Sequence, residues 1–172
     1  MSRTPVREAL GRLAARGLVE ARAGRGLVVT SLSAQSVLEL YAMREGLDGT
    51  AARLAAQQAT DVEIDALTML AEDFARTQGA PAAYAEANRV FHARLYDAAR
   101  NRYLLQALND LQDVIALLPR TTFAIDGRSA AAVDEHAAIV AAMRARDPDA
   151  AEQAARAHIR AALKARLTDR ST

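Results

Sequence analysis

The residues of this chain that are best suited to chemistry are its three histidines. His92 follows Asn88 by four positions, which places both side chains on one face of a helix, about one turn apart. His136 and His158 lie in two other segments whose apolar residues have helical spacing. Side chains from facing helices can hold one metal ion in the core of a helical bundle. The spacing therefore predicts a metal pocket with Asn88, His92, His136 and His158 as ligands.

The donor set favours a divalent metal. Three neutral imidazoles and one open position suit zinc, nickel or another divalent ion, and geometry decides between them. The side-chain oxygen of Asn88 is neutral, so it attracts the cation less than a carboxylate would, and the alternative is that Asn88 contacts a metal ligand without binding the metal itself. Cysteine is absent, which excludes thiolate ligands and disulfides. For any single histidine the alternative is a hydrogen-bonded position in the core, and only the set of three favours one divalent ion per chain.

Length and composition indicate a globular, helical protein without a membrane segment. The chain has 172 residues, of which 51% are hydrophobic and 25% are charged, so it can form one domain with a small module. Alanine, leucine and arginine dominate, which favours helix over sheet. No apolar run approaches the roughly 20 residues that a membrane span needs, and no signal peptide is recognisable. A cytoplasmic location is expected.

The first 30 residues predict a small basic module. They carry six arginines and two acidic residues, whereas the remaining chain carries 16 basic and 19 acidic residues. A helix starts near Pro5 and stops at Gly17, and two short strands at 18–21 and 27–30 follow it as a hairpin. Basic charge confined to this segment indicates a contact with nucleic acid, although a solvated amphipathic helix would have the same composition.

The rest of the chain predicts an all-α fold. After a linker at 31–33, apolar periodicity and capping residues mark about six helices. Their approximate spans are 33–59, 60–78, 81–100, 102–118, 129–146 and 148–167. Because the connections are short, we expect neighbouring helices to form an antiparallel bundle. The predicted organisation is a partial winged helix over 1–30 and a helical effector-binding and dimerisation domain over 33–172.

Several short motifs resemble one family of bacterial regulators. Residues 2–10 (SRTPVREAL), then Gly17-Leu18-Val19 and the Gly24-Arg25-Gly26 turn, resemble the recognition helix and wing of GntR-family transcription regulators. The body is similar to the helical effector domain, called FCD, of the FadR subfamily. The matching positions in the body are Leu40-Tyr41, Arg44, Leu47-Asp48, Asn88, His92, Asn101, Leu104, Asp134-Glu135-His136 and His158-Ile159.

The resemblance implies a homodimeric, ligand-responsive DNA-binding protein. It places Ser2, Arg3, Thr4 and Arg7 in the major groove of operator DNA and Arg25 on the wing. A two-fold symmetric dimer presents two such helices to a palindromic operator. Family members have two helices and a strand ahead of the recognition helix, whereas this sequence begins at that helix. We therefore expect an incomplete DNA-binding module, and a sensor and dimerisation protein without DNA binding is the alternative.

A carboxylate effector is expected beside the metal. The guanidinium of Arg44 can pair with a carboxylate through two parallel hydrogen bonds, although an ion pair with Glu45 or Asp48 is the alternative. Asn101 is a second candidate contact, and it can equally cap a helix. The expected effector is a small organic acid, such as a sugar acid or hydroxy acid. A metalloenzyme is less favoured, because no second set of metal ligands and no general base accompany the histidines.

Overall fold

The computed structural model describes residues 4–168, which form seven α-helices, one short 3₁₀ helix and one β-hairpin. Ser2 and Arg3, two of the expected DNA contacts, lie outside the described residues. The elements in chain order are α1 (Thr4–Ala15), β1 (Val19–Arg22), β2 (Gly26–Val29), α2 (Ala34–Gln58), α3 (Asp61–Arg76), α4 (Pro81–Ala98), α5 (Arg102–Ile115), the 3₁₀ helix (Thr122–Ala124), α6 (Arg128–Arg144) and α7 (Pro148–Thr168). The all-α class, with six helices after a helix and a hairpin, is confirmed.

Side-chain caps fix where several helices begin. Thr60 and Glu63 form a capping box at the start of α3: the Thr60 amide donates to Glu63 Oε2 at 2.7 Å, and the Glu63 amide donates to Thr60 Oγ1 at 3.3 Å. Asn101 Oδ1 accepts from two backbone amides at the start of α5. Asp147 accepts from the amide of Ala150, just before α7 begins. These local hydrogen bonds explain why the helix starts could be read from the sequence.

The N-terminal segment, comprising α1 and the hairpin, has little core of its own. Strands β1 and β2 pair antiparallel, and Gly24 and Gly26 take φ values of +75° and +73° in the turn between them, which other residues rarely adopt. None of the residues in α1 is buried, and the apolar Val6 is 60% exposed. The segment is tied to the body by Arg16, which pairs with Asp110 on α5 at 2.9 Å.

The body packs around small residues where α2 meets α7. Ala52 and Ala55 of α2 and Ala151 and Ala155 of α7 are buried, and these two helices share the most extensive interface in the bundle. Alanine at these positions allows a close approach of the helix axes. Larger buried side chains of the other helices complete the core, namely Leu67, Phe74, Phe91, Leu95, Leu108, Ile139 and Met143. The three histidines are buried among these helices and are therefore held by rigid elements.

Within residues 4–168, no helix combines the length and the apolar character required to cross a membrane.

Candidate functional site

Three helices bring the three histidines together in the core. His92 lies on α4, His136 on α6 and His158 on α7, and their exposed fractions are 1%, 0% and 2%. One ring nitrogen from each lies within 4.8 Å of those of the other two. The ring centroids are 4.9 to 5.7 Å apart. The histidines predicted from the sequence therefore form one compact, buried cluster.

The closest contact in this histidine cluster joins His92 and His158, whose Nε2 atoms lie 3.1 Å apart. Each ring turns its other nitrogen toward a carboxylate. Nδ1 of His92 lies 3.1 Å from Asp48 Oδ1, and Nδ1 of His158 lies 2.6 Å from Glu135 Oε2. The hydroxyl of Tyr96 also donates to Asp48 Oδ1, at 2.8 Å. When both carboxyl groups are ionised, each accepts from the Nδ1–H beside it, and both Nε2 atoms then present lone pairs.

His136 meets Asn88, the fourth residue of the predicted set. Its Nε2 lies 3.1 Å from Asn88 Oδ1. The imidazole stacks on the ring of Phe91, with centroids 4.2 Å apart and an interplanar angle of 21°. Its Nδ1 is buried and has no hydrogen-bond partner among residues 4–168. The structure thus brings Asn88 to the edge of the cluster through His136.

Burial keeps the imidazoles of His136 and His158 uncharged. Loss of hydration, followed by the neighbouring histidines and Arg128, lowers the pKa of His136. The same causes, with Arg44, place the pKa of His158 well below its usual value. Both rings are therefore neutral at physiological pH. The neutral imidazole is the form that coordinates metal ions.

Arg44 is buried beside the cluster and pairs with Asp48, one turn further along α2. Its Nε lies 3.4 Å from Asp48 Oδ2, and its exposed fraction is 7%. Burial alone opposes ionisation of Asp48, but Arg44 and the hydrogen bonds from His92 and Tyr96 outweigh it, so the pKa of Asp48 is lowered. The ion pair with Asp48, which the sequence offered as an alternative for Arg44, is present in the structure.

Five buried side-chain atoms around the cluster lack hydrogen-bond partners within residues 4–168. They are Arg44 Nε, Asp48 Oδ2, Arg128 Nε, Arg128 Nη1 and His136 Nδ1. The first two of these atoms lie 3.4 Å apart and attract each other as an ion pair, without a hydrogen bond. Folded proteins pair the great majority of their buried polar atoms, so such a concentration calls for a specific explanation. A bound ligand or ion that satisfies these atoms would supply one.

A cavity of about 720 Å³ adjoins the cluster. Its walls come mainly from α4, α5 and the segment 118–123. Arg44, Asn88 and Tyr96 line the cavity and also contact the residues around the histidines. The three histidines are not part of the cavity wall, so a small molecule in the cavity reaches Arg44 directly and the histidine cluster through Asn88 and Tyr96.

Comparison with known proteins identifies the chain. The family model for the FCD domain matches residues 39–161, and the model described as "Bacterial regulatory proteins, gntR family" matches residues 1–29. The chain belongs to the GntR family and carries an FCD domain. It is 37% identical over 171 residues to the "Probable D-xylose utilization operon transcriptional repressor" of Paenarthrobacter nicotinovorans, which covers 95% of this chain and 73% of that protein.

Other relatives of this GntR-family chain agree with the assignment. The transcriptional regulator YdhC of Bacillus subtilis is 30% identical over 164 residues, which covers 92% of this chain and 72% of that protein. The solved structure of Escherichia coli McbR/YncC superposes with a TM-score of 0.79 at 20% identity, covering 94% of this chain and 82% of that one. This likeness supports the fold. The family and these relatives are transcription regulators and not enzymes.

The GntR segment exposes the expected DNA contacts that lie among the described residues. Thr4 and Arg7 are exposed in the first turn of α1, and Arg25 is exposed in the turn of the hairpin. All three are accessible to DNA, which GntR-family regulators bind.

Asn101 is not brought to the histidine cluster. Its side chain caps α5, it is exposed, and it is not part of the cavity wall. Its cap role, which the sequence also offered, is the one that the structure contains.

Four side chains around the histidine cluster were not among the predicted site residues, although Asp48 and Glu135 were positions of the family resemblance. Asp48 and Tyr96 each lie four positions after a selected residue, Arg44 and His92, so helical spacing could have found them. Glu135 directly precedes His136 in the sequence but contacts His158. Arg128 carries no recognisable sequence pattern, because its position depends on how α6 begins.

Proposed function

We propose that this FCD domain binds one divalent cation, zinc or nickel, and that a small carboxylate effector binds beside it and controls a DNA-binding regulator of the FadR subfamily. His92, His136 and His158 would hold the cation, with Asn88 Oδ1 as a fourth ligand. The observation that carries this proposal is the pair of Nε2 atoms that face each other at 3.1 Å while both Nδ1 atoms face carboxylates.

The tautomers explain why this pair favours a cation. If His92 donated from Nε2 to His158, its Nδ1 would present a lone pair to Asp48 Oδ1 at 3.1 Å. If His158 donated instead, its Nδ1 would face Glu135 in the same way. Two lone pairs in contact repel each other, whereas a cation between them attracts both. Carboxylates behind coordinating imidazoles are also the usual support of protein zinc sites.

The spacing of the donors is compatible with zinc or nickel. Two imidazole nitrogens on one tetrahedral zinc lie roughly 3.3 Å apart, because each Zn–N bond is about 2.0–2.1 Å long. The Nε2 atoms of His92 and His158 lie 3.1 Å apart. The neutral oxygen of Asn88 supplies less attraction than a carboxylate, so the three imidazoles would carry most of the affinity. When bound, the cation supplies a positive centre that attracts a carboxylate oxygen.

Arg44 is the protein group best suited to orient the effector. It lines the cavity, it is buried, and its Nε has no hydrogen-bond partner among the described residues. A carboxylate that accepts from this guanidinium gains charge-assisted hydrogen bonds in a site of low dielectric constant. The effector class that fits is a small organic acid.

The regulatory output would be operator binding by a homodimer. The exposed side chains of Thr4, Arg7 and Arg25 are available to bases and phosphates. A palindromic operator matches a two-fold symmetric dimer. Ser2 and Arg3 remain proposed contacts on the same grounds of family resemblance. Binding of the acid in the FCD domain would change the affinity for DNA through the linkage between the two sites.

The test is calorimetric titration of a panel of small organic acids into zinc-loaded and metal-free protein. We expect at least one acid to bind the zinc-loaded form and to bind the metal-free form at least about tenfold more weakly, because a metal–oxygen contact is lost. The variant Arg44→Ala is expected to weaken binding similarly, whereas Arg53→Ala, on the same helix but outside the cavity wall, is the control. Equal binding with and without zinc would contradict the proposal.

A further inference from the structure

Arg128, the first residue of α6, is a buried cation whose hydrogen bonds are incomplete. Its exposed fraction is 5%. Nη2 donates to Glu135 Oε2 at 2.7 Å and lies 3.5 Å from His158 Nδ1. Nε and Nη1, which together carry three N–H groups, have no hydrogen-bond partner among residues 4–168.

Arg128 borders both parts of the proposed site. Through Glu135 and His158 it touches the histidine cluster. Its guanidinium carbon lies 5.9 Å from the ring centroid of Phe123, which lines the cavity. Arg128 is not itself part of the cavity wall, and it lies behind Phe123, between that wall and the pair formed by Glu135 and His158.

The charges around the cluster also leave room for a second anion. The buried Arg44 and Arg128 are balanced by the buried Asp48 and the partly buried Glu135, so the charges of these two ion pairs sum to zero before any metal binds. A divalent cation adds two positive charges, and a monocarboxylate cancels one of them. Uncompensated charge is costly in a buried site, so a doubly charged ligand is favoured there.

We propose that the effector is a small dicarboxylate and that Arg128 holds its second carboxylate. This inference rests on the proposed function, which assigns the first carboxylate to the metal and Arg44. Arg128 would then be the residue that sets the preference for a diacid over a monoacid. A purely structural role for Arg128, holding Glu135 against His158, is the competing explanation.

The experiment compares the binding of matched acids to the zinc-loaded protein by calorimetry. Succinate is paired with butyrate, and malate with 2-hydroxybutyrate, so that each pair differs mainly in the second carboxylate. We expect the diacid of at least one pair to bind about tenfold or more tightly, since a hydrogen-bonded charged contact is gained. Zinc affinity is measured separately for every variant.

In Arg128→Gln we expect the diacid preference to fall to about twofold or less, with monoacid and zinc affinities nearly unchanged. Arg128→Lys keeps the charge beside Glu135 and is expected to fold even where Arg128→Gln does not, and to lose most of the preference, because lysine lacks the planar fork. Arg144→Gln, at the opposite end of α6, is the control and keeps the preference.

Three outcomes overturn this inference. If wild-type protein binds monoacids and diacids equally, the second carboxylate has no partner and only this inference fails. If the Arg128 variants lose zinc affinity and bind both acids more weakly by the same factor, Arg128 serves only to support Glu135. If zinc-loaded protein binds no acid of either kind, the proposed function fails and this inference fails with it.

Discussion

The Nε2 atoms of His92 and His158 lie 3.1 Å apart, although the two residues are separated by 66 positions in the chain. Asp48 and Glu135 hold the opposite nitrogens of the two rings. Each carboxylate fixes one tautomer, and the two tautomers together aim lone pairs at the same point. A buried arrangement of this kind is favourable when a cation occupies that point.

Zinc or nickel is expected to stabilise the metal-free protein against heat. A ligand that binds only the folded state at about 1,000 times its Kd adds about 4 kcal/mol to the free energy of unfolding. For a chain of this size that corresponds to a rise in Tm of roughly 8–16 °C. Differential scanning calorimetry with and without zinc measures the rise in Tm. Addition of a chelator is expected to reverse that rise. His92→Gln is the matched variant, and an equal rise in that variant would show that zinc acts elsewhere.

The two carboxylates behind the histidines are expected to control metal affinity. Asp48→Asn and Glu135→Gln remove a negative charge from an imidazole partner while nearly preserving side-chain volume. Each is expected to weaken zinc binding by about 10- to 100-fold, as is typical for outer partners of metal-binding histidines. Competition with a chromogenic chelator measures the affinity. Glu86→Gln, an exposed residue on α4, is the control, and unchanged affinity in both core variants would contradict the assigned tautomers.

The capping box of α3 predicts a pH dependence of stability. Hydrogen bonds from the backbone and side chain of Thr60, assisted by Arg100, hold the pKa of Glu63 below its usual value. A lowered folded-state pKa means that ionised Glu63 stabilises the fold above its unfolded pKa of about 4.3, and that this contribution is lost as pH falls through the lower folded-state pKa.

Glu63→Gln is therefore expected to lower the free energy of unfolding by about 1 kcal/mol or less near pH 7, because the side chain of Glu63 is partly exposed. The difference from wild type is expected to shrink below about pH 4.3. Urea unfolding at several pH values measures it, with Glu72→Gln on the same helix as control. A difference that stayed constant down to the lowest pH would remove the electrostatic part of this explanation.

The link between the N-terminal segment and the body is expected to be weak and sensitive to salt. Arg16 pairs with Asp110 at 2.9 Å and with Asp113, and all three side chains are about half exposed. Replacing both acids by asparagine is expected to change global stability by less than about 1 kcal/mol. Amide exchange in 5–15 is expected to speed up by up to about fivefold, measured by hydrogen–deuterium exchange. Unchanged exchange in that segment would show that these pairs do not hold it.

Most of the fold could be predicted from the sequence, because the residues that begin each helix and form its buried face lie close together in the chain. Thr60 and Glu63, Asn101, and Asp147 before Pro148 mark helix starts through hydrogen bonds within one turn. Apolar spacing of three and four residues then marks the buried face of each helix.

The candidate site could be predicted only in part. The three histidines were found because few residues of that type are present, and Asn88 because it lies one turn from His92. The contact of Glu135 with His158, and not with its neighbour His136, depends on how α6 and α7 pack. Arg128 follows Gly127, where φ is +77° and α6 begins, and its burial depends on tertiary packing that no pattern in the sequence predicts.

The most direct test of a metal-dependent effector domain is to count the metal ions that it holds. Metal-stripped wild-type protein and the variant His158→Gln are each equilibrated with zinc or nickel, freed of unbound ion, and measured by elemental mass spectrometry. We predict about one ion per wild-type chain and at most about a tenth of that in the variant, because one of three imidazole ligands is missing. Wild-type protein that retains neither metal, or a variant that retains as much as wild type, would contradict the account.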